Sequence, residues 1–406
     1  VAHEKFGVAL AGGGPLGAIY EIGALTALQE ALVGIDLTDC GVYVGVSSGS
    51  FLAAGLANGL TPRAMHAMFI DSESAEDPFD PKLLLRPAAG EYGKRLLSVI
   101  PLFLSAVRHY VESSRLQGFF ASFQRLSRAL PTGLFDNAGL GVFLTKLFST
   151  SGRTNDFRHL RHKLFLVATD LDSGEIAPFG APGWDDVPIA YAIQASAALP
   201  GLFPPVKIKG RWYVDGVLKK TLHASLALKA GAKLLLCINT LVPFNAGATP
   251  RPGGDRPARI VDGGLPLVLS QTFRAIIHSR MEVGMSRYHA EFPDADVVLF
   301  EPSRNDADMF FTNVFSYADR QRLCEHAYRK TRAELRRRYD ELAPIFARHG
   351  VTIDLSVLND DRRTLLPPAE RGDDHDGGEG FDKTAIKLDR TLRQLKTMVD
   401  AAEAGS

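Results

Sequence analysis

The run Gly45-Val46-Ser47-Ser48-Gly49 spells G-x-S-x-G between an apolar stretch, "VYVGV" at 42–46, and a run of small residues, "SSGSFLAAGLANGL". A serine at a strand-to-helix turn projects its hydroxyl above a sheet. Small neighbours, here Gly45, Ser48 and Gly49, relieve crowding where the helix crosses the strand. The helix start that follows favours negative charge developing beside it. The chemistry open to such a serine is nucleophilic attack on an acyl group. Pentapeptides of this kind also arise in ordinary turns whose serines only cap a helix, so the pattern needs partners.

A serine nucleophile needs a base and a place for the oxyanion. Upstream, "ALAGGGPLGAIY" contains Gly12, Gly13 and Gly14, consecutive glycines whose amides can approach a substrate with no Cβ in the way. One helix separates this loop from the serine. Both loops can therefore meet at the carboxyl ends of neighbouring strands, where open α/β sheets bind ligands. Downstream, "WYVDGV" puts Asp215 at a strand end, and Gly216 permits a sharp turn after it, although a lone Asp-Gly is otherwise a common turn. His223 follows eight residues later and could complete a triad, although "KKTLHASLALKAG" reads as a helix.

Gly12, Gly14 and Gly17 also satisfy G-x-G-x-x-G, and Asp36 follows near the separation at which a dinucleotide fold places its ribose-binding acid. That reading makes the protein a dinucleotide-dependent oxidoreductase. It requires Asp36 at a strand end, whereas "GIDLTD", 34–39, reads as a loop. It also leaves the serine pentapeptide and Asp215 without a role.

The elements that must position these residues can be read from periodicity. "FGVALA", 6–11, is a buried strand, and Ala18 to Leu32 has helical spacing with Ile19, Ile22, Leu25, Leu28 and Leu32 on one stripe. "KLFLVATDLDSGEIAPF", 163–179, reads as two strands joined by a turn, and "VPIAYAIQASAALPGLFPPV", 187–206, as a helix stopped at Pro200. "VKIKGRWYVDGV", 206–217, is a hairpin turning at Gly210. "AKLLLCINT", 232–240, and "ADVVLFEP", 295–302, are continuous apolar runs of the buried parallel type, and helical stretches lie near 264–286 and 316–346. The alternation predicts an α/β fold with a central, mostly parallel sheet.

The chain has 406 residues, which predicts one large domain with an appendage. The expected division is a catalytic domain over 1–350, a helical insertion at about 71–135, and an extension over 351–406. Within that extension, "ERGDDHDGGEG", 370–380, has the composition of a flexible acidic linker, and 381–402 an amphipathic helix. Lys+Arg and Asp+Glu are equal at 46, so nothing suggests a global attraction to nucleic acid or anionic lipid. Cys40, Cys237 and Cys324 lie far apart, form no metal-spaced set and fit a reducing compartment.

Taken in order, GGGPLG at 12–17, GVSSG at 45–49, ATDLDSGE at 168–175, ASAALPGLFPPV at 195–206 and DGV at 215–217 resemble the patatin-like phospholipases, with "LPTGLFD", 130–136, as a further match. The resemblance covers roughly residues 5–320. It implies a three-layer α/β/α fold, calcium independence, no cofactor, and a Ser–Asp dyad with no catalytic histidine. Carried over, Ser47 is the nucleophile, Asp215 the base, and Gly12, Gly13 and Gly14 supply the oxyanion amides. Two positions depart from the family pattern. Leu16 stands where the glycine loop often carries Arg or Lys, which weakens a preference for phosphate but leaves the amides intact. Val217 follows Asp-Gly where Gly or Ala is common, a mild change.

The expected activity is lipid acyl hydrolysis. Phospholipid, lysophospholipid, neutral glyceride and galactolipid esters all fit such a site. A catalytically idle, membrane-associated binding protein on the same fold is the alternative from another class. Residues 79–130 mix large apolar side chains with Arg86, Lys94, Arg95, Arg108 and Arg115. They read either as helices packed on the core or as an acyl-chain lid that touches a membrane surface. The run "LLSVIPLFLSAV", 96–107, is too short to cross a bilayer. The expected partners are a lipid or lysolipid substrate and a membrane surface, not nucleic acid, and the expected location is cytoplasmic or peripheral to a membrane.

Overall fold

The computed structural model describes residues 5–71, 132–133, 135–245, 259–311 and 317–366. The expected insertion at 71–135 lies almost wholly outside these residues, and the acidic linker and amphipathic helix entirely so. Residues up to Leu365 form one compact unit.

The chain begins β1 (Phe6–Leu10), α1 (Gly14–Ala31), β2 (Leu32–Val33), β3 (Val42–Val46), α2 (Ser48–Ala57) and α3 (Pro62–His66). It continues through α4 (Ala138–Phe148), β4 (Lys163–Asp170), β5 (Ile176–Phe179), α5 (Ile189–Ser196), β6 (Val206–Ile208) and β7 (Arg211–Asp215). Next come α6 (Ser225–Lys229), β8 (Leu234–Ile238), α7 (Gly264–Glu291) and β9 (Asp296–Phe300). The last described elements are α8 (Ala307–Phe311), α9 (Tyr317–Arg337), α10 (Tyr339–Arg348), β10 (Thr352–Ile353) and α11 (Leu355–Asn359).

The main sheet has the hydrogen-bonded order β6-β7-β4-β3-β1-β8-β9, with β5 also paired to β4. Strands β4, β3, β1, β8 and β9 run parallel to their neighbours in that series, whereas β5, β6 and β7 make antiparallel pairs. Successive residues of a strand face opposite sides of a sheet, and the core divides accordingly. Phe6, Val8, Leu10, Leu234, Leu236 and Ile238 join one apolar cluster, beneath helices that include α1 and α2. Ala9, Val42, Val44, Val46, Leu235 and Cys237 join a second, shared with Leu222, Ala227, Ile277 and Met281. This is a three-layer α/β/α arrangement. Both faces of the parallel strands are covered, which is why their sequences read as continuous apolar runs.

The registers on β4 decide where the chemistry sits. Leu166 and Val167 pair with Gly45 and Val46 of β3 on one side and with Phe179 and Pro178 of β5 on the other. The next residue, Ala168, pairs with Ala177 of β5 and with Asp215 of β7. A strand has two edges. One edge of β4 therefore belongs to β5, and β3 and β7 share the other, running toward each other along it.

Ordered core continues past residue 350. Strand β10 pairs antiparallel with β2, Ile353 opposite Leu32, and Val351, Ile353, Val357 and Leu358 are buried in the first cluster. Arg332 of α9 donates to the backbone carbonyls of Val357 and Asp360, tying this tail down.

Candidate active site

Ser47 directly follows β3 and precedes α2, as the pentapeptide predicts. Its backbone is held at φ 52°, ψ −123°, a left-handed conformation costing on the order of 1–3 kcal/mol for a residue with a side chain. Gly45 and Gly49 permit the turn. A Cβ on Gly45 would lie 2.4 Å from the Cα of Ser50, and one on Gly49 would lie 2.5 Å from the carbonyl oxygen of Ala11. Ser47 stands at the N-cap position but makes no capping hydrogen bond with its side chain. The hydroxyl of Ser48 is buried with no hydrogen-bond partner among the described residues. Neither serine serves the capping role that an ordinary turn would give it. Ser50 donates its hydroxyl to the Ser47 carbonyl and braces the turn from within α2.

Asp215 arrives at the same place from the opposite direction. Val46 ends β3 opposite Val167, and Asp215 ends β7 opposite Ala168, so Ser47 and Asp215 are brought together at the meeting of two strand ends. Asp215 is 1% exposed. Burial pushes its carboxyl up to about 7, against hydrogen bonds from the Val217 amide and the Ser47 hydroxyl that pull it down. The Val217 N–H donates to Asp215 Oδ1 at 2.9 Å and fixes one carboxylate oxygen. Val217 supplies this bond through its backbone, and its buried side chain lies near Gly12. Gly216 is required by close approach: a Cβ there would lie 2.1 Å from the Val167 carbonyl oxygen.

The glycine loop closes over the serine. A Cβ on Gly12 would lie 2.9 Å from Ser47 Cβ and 3.6 Å from Ser47 Oγ. Gly14, with φ 61°, begins α1, whose first amides have no partner within the helix. The departure at Leu16 is absorbed structurally, since its side chain is partly buried and packs against the core.

His223 is placed differently from the expectation of a helical residue. It precedes α6 with φ 44°, is buried, and its Nε2 pairs with the Gly216 carbonyl oxygen at 3.4 Å. Burial, helped by the charge of Lys220, brings its pKa down to about 4 although the Gly216 bond raises it. The imidazole is thus a neutral support behind the Asp215–Gly216 turn.

Ser196, at the end of α5, was not singled out by sequence. Its hydroxyl donates to the Val167 carbonyl at 2.6 Å and accepts from the Ser47 amide at 2.9 Å. It bridges the point where β3 leaves β4. Two described residues support the same region: Gly133 bridges Gly201, and the Phe135 amide donates to the Leu202 carbonyl, backing the loop that follows α5.

Asp36 lies in the loop before β3, where its carboxylate accepts from the Thr38 amide and hydroxyl in a local turn. That accounts for it without a ribose. Among the described residues, Asp306, Asp308 and His326 form the one group with metal-ligand spacing. Asp306 is already engaged there, accepting from the Met309 amide and pairing with His326 Nε2 at 2.7 Å. No helix among the described residues is long and apolar enough to cross a membrane.

Among solved structures the chain is similar to VipD from Legionella pneumophila (19% identity, 60% of this chain and 51% of that chain covered, TM-score 0.31). It is also similar to the type III effector protein ExoU (17% identity, 82% and 53% covered, TM-score 0.34). The chain thus spans about half the length of these two. A comparison with curated protein sequences gave no match. The sequence model described as "Patatin-like phospholipase" matches residues 8–228, a stretch that contains the glycine loop, the serine turn and Asp215, and this chain belongs to the patatin-like phospholipase family.

Proposed function

We propose that the protein hydrolyses carboxylic esters of lipids, of phospholipase A or lysophospholipase type, with Ser47 as nucleophile, Asp215 as general base and the amides of Gly12 to Gly14 as oxyanion donors. Family membership supports lipid hydrolysis as the general kind of reaction. The observation that carries the finer reading is the buried contact between the Ser47 hydroxyl and the Asp215 carboxyl. A carboxylate at its ordinary pKa is a weak base for a hydroxyl. One poised near neutrality is better matched to the task.

The steps follow from the residues in place. Asp215 takes the Ser47 proton as Oγ attacks the ester carbonyl, and negative charge moves to the carbonyl oxygen facing the glycine loop. Collapse expels the alcohol, which takes the proton from Asp215 and leaves the acyl group on Ser47. Water then attacks the acyl-enzyme with Asp215 accepting its proton. The proton returns to Ser47 as the fatty acid departs.

Turnover of p-nitrophenyl acyl esters by wild type, Ser47→Ala and Asp215→Asn tests the reading. Both variants should lose at least about 100-fold in kcat. Retention of activity in both overturns the assignment. Failure of a fluorophosphonate probe to label Ser47 in an inactive wild type would favour a binding protein on this fold instead.

A further inference from the structure

The loop that faces Ser47 is held from behind by a residue outside the family match, which ends at 228. Thr240 follows β8 and is fully buried. Its hydroxyl donates to the Gly12 carbonyl at 3.0 Å. It also fills the notch beneath the loop: a Cβ on Gly13 would lie 2.1 Å from Thr240 Oγ1, and one on Gly17 would lie 2.6 Å from it. Gly12 thus has Ser47 on one side, while Gly13 and Gly17 rest on Thr240.

Thr240 is itself fixed. Arg274 of α7, buried, donates through Nη1 to the carbonyls of Thr240 at 3.2 Å and Val242 at 3.4 Å. A chain of hydrogen bonds therefore runs from α7 through the end of β8 to the glycine loop.

The consequence is a matter of peptide geometry. The described residues contain no cis peptide. In a trans peptide the C=O and the following N–H point in opposite directions. Pinning the Gly12 carbonyl onto Thr240 therefore turns the Gly13 N–H away from Thr240, to the open side of the loop. A peptide between two glycines has little else to stop it rotating, because neither residue carries a Cβ.

We infer that Thr240 is a positioning residue for the oxyanion site: its hydroxyl holds the Gly12–Gly13 peptide with the Gly13 amide presented to the substrate carbonyl oxygen. The inference rests on Ser47 being the nucleophile. Thr240 touches neither the substrate nor the reacting atoms, and acts through the peptide that it orients.

The test compares Thr240→Val, which keeps the shape and removes the donor, with Thr240→Ser, which keeps the donor, using p-nitrophenyl butyrate. Thr240→Val should lower kcat by about 100-fold, the scale of losing one oxyanion donor, with KM changed less than about threefold and folding retained by circular dichroism. Thr240→Ser should restore most of the rate. Thr240→Val should also narrow the preference for an ester over the matching thionoester, because sulfur gains less from an amide donor than oxygen does. Wild-type kcat in Thr240→Val, or equal losses in the Val and Ser variants, would overturn the inference. Should valine prevent folding, Thr240→Ala carries the same expectations. The Ser47→Ala control separates the two levels: an active Ser47→Ala removes the underlying reading, whereas an inactive Ser47→Ala with a fully active Thr240→Val removes only the role of Thr240.

Discussion

Ser47 and Asp215 meet because the strands that carry them run head to head along one edge of β4, Val46 opposite Val167 and Asp215 opposite Ala168. The contact is buried, so the carboxyl and the hydroxyl share an environment with little water, and the pKa of Asp215 rises to about 7 through desolvation.

As the proposed general base, Asp215 must be ionised to accept a proton, so kcat/KM for a soluble ester should rise with pH through an apparent pKa of about 7 and then level off. Stability should move the other way. A carboxyl with a folded-state pKa above its ordinary 3.8 holds a proton that the unfolded chain has released, so this group's contribution falls as pH rises from about 4 to about 7. Asp215→Asn removes that penalty, and its Asn Oδ1 can still accept from the Val217 amide. The variant should be inactive, should melt above wild type at pH 8, and should lose that advantage at pH 4. Thermal melts of both proteins at the two pH values check this.

Ser196→Ala leaves the Ser47 amide and the Val167 carbonyl without their shared partner. An orphaned buried group costs about 1–3 kcal/mol, so the melting temperature should drop by several degrees. The Ser47 backbone is one of the two groups released, so on the proposed mechanism kcat should fall as well. Ser196→Thr keeps the hydroxyl and should lie closer to wild type in both measurements.

Gly49→Ala forces a Cβ to within 2.5 Å of the Ala11 carbonyl oxygen, at the crossing of α2 over β1. Neither partner is a flexible side chain, so the backbone must shift. Overpacking of this sort costs about 1–3 kcal/mol or more. Urea unfolding should show a lower midpoint with an unchanged slope, and activity should be lost in the folded fraction because the turn at Ser47 moves.

Truncation after Gly350 should destabilise the whole compact unit. It removes Ile353, Val357 and Leu358 from the core and leaves Arg332 without the carbonyls it reaches. Burial of each such side chain contributes about 1.5–3 kcal/mol, so the product should be insoluble or melt far below a chain ending at Leu366. Melting curves of the two truncations compare them directly.

Much of this architecture could be read in the sequence because it is local. Continuous apolar runs marked β1, β3, β8 and β9, and the small residues around Ser47 and the glycines at 12–14 announced two loops that need room. What escaped reading depends on contacts distant in sequence. Strand β10 is two residues long, too short to show a period, and forms only because β2 offers an edge. His223 looked helical by its neighbours, yet it is drawn out of a helix by the turn at Gly216. The roles of Ser196 and Thr240 follow from registers across the sheet, although a polar residue directly after a buried strand, as in "CINT", is a signal that sequence alone could have raised.

The shared edge of β4 also has a meaning for timing. Ser47 and Asp215 are separated by 168 residues (215 minus 47), and neither reaches the other until both β3 and β7 have docked on β4. Non-local pairings of this kind carry a large entropic cost and form late. A partly folded or nascent chain therefore possesses the serine and the aspartate but no working pair. For the proposed hydrolysis, the buried Ser47–Asp215 contact becomes available only once the fold is complete.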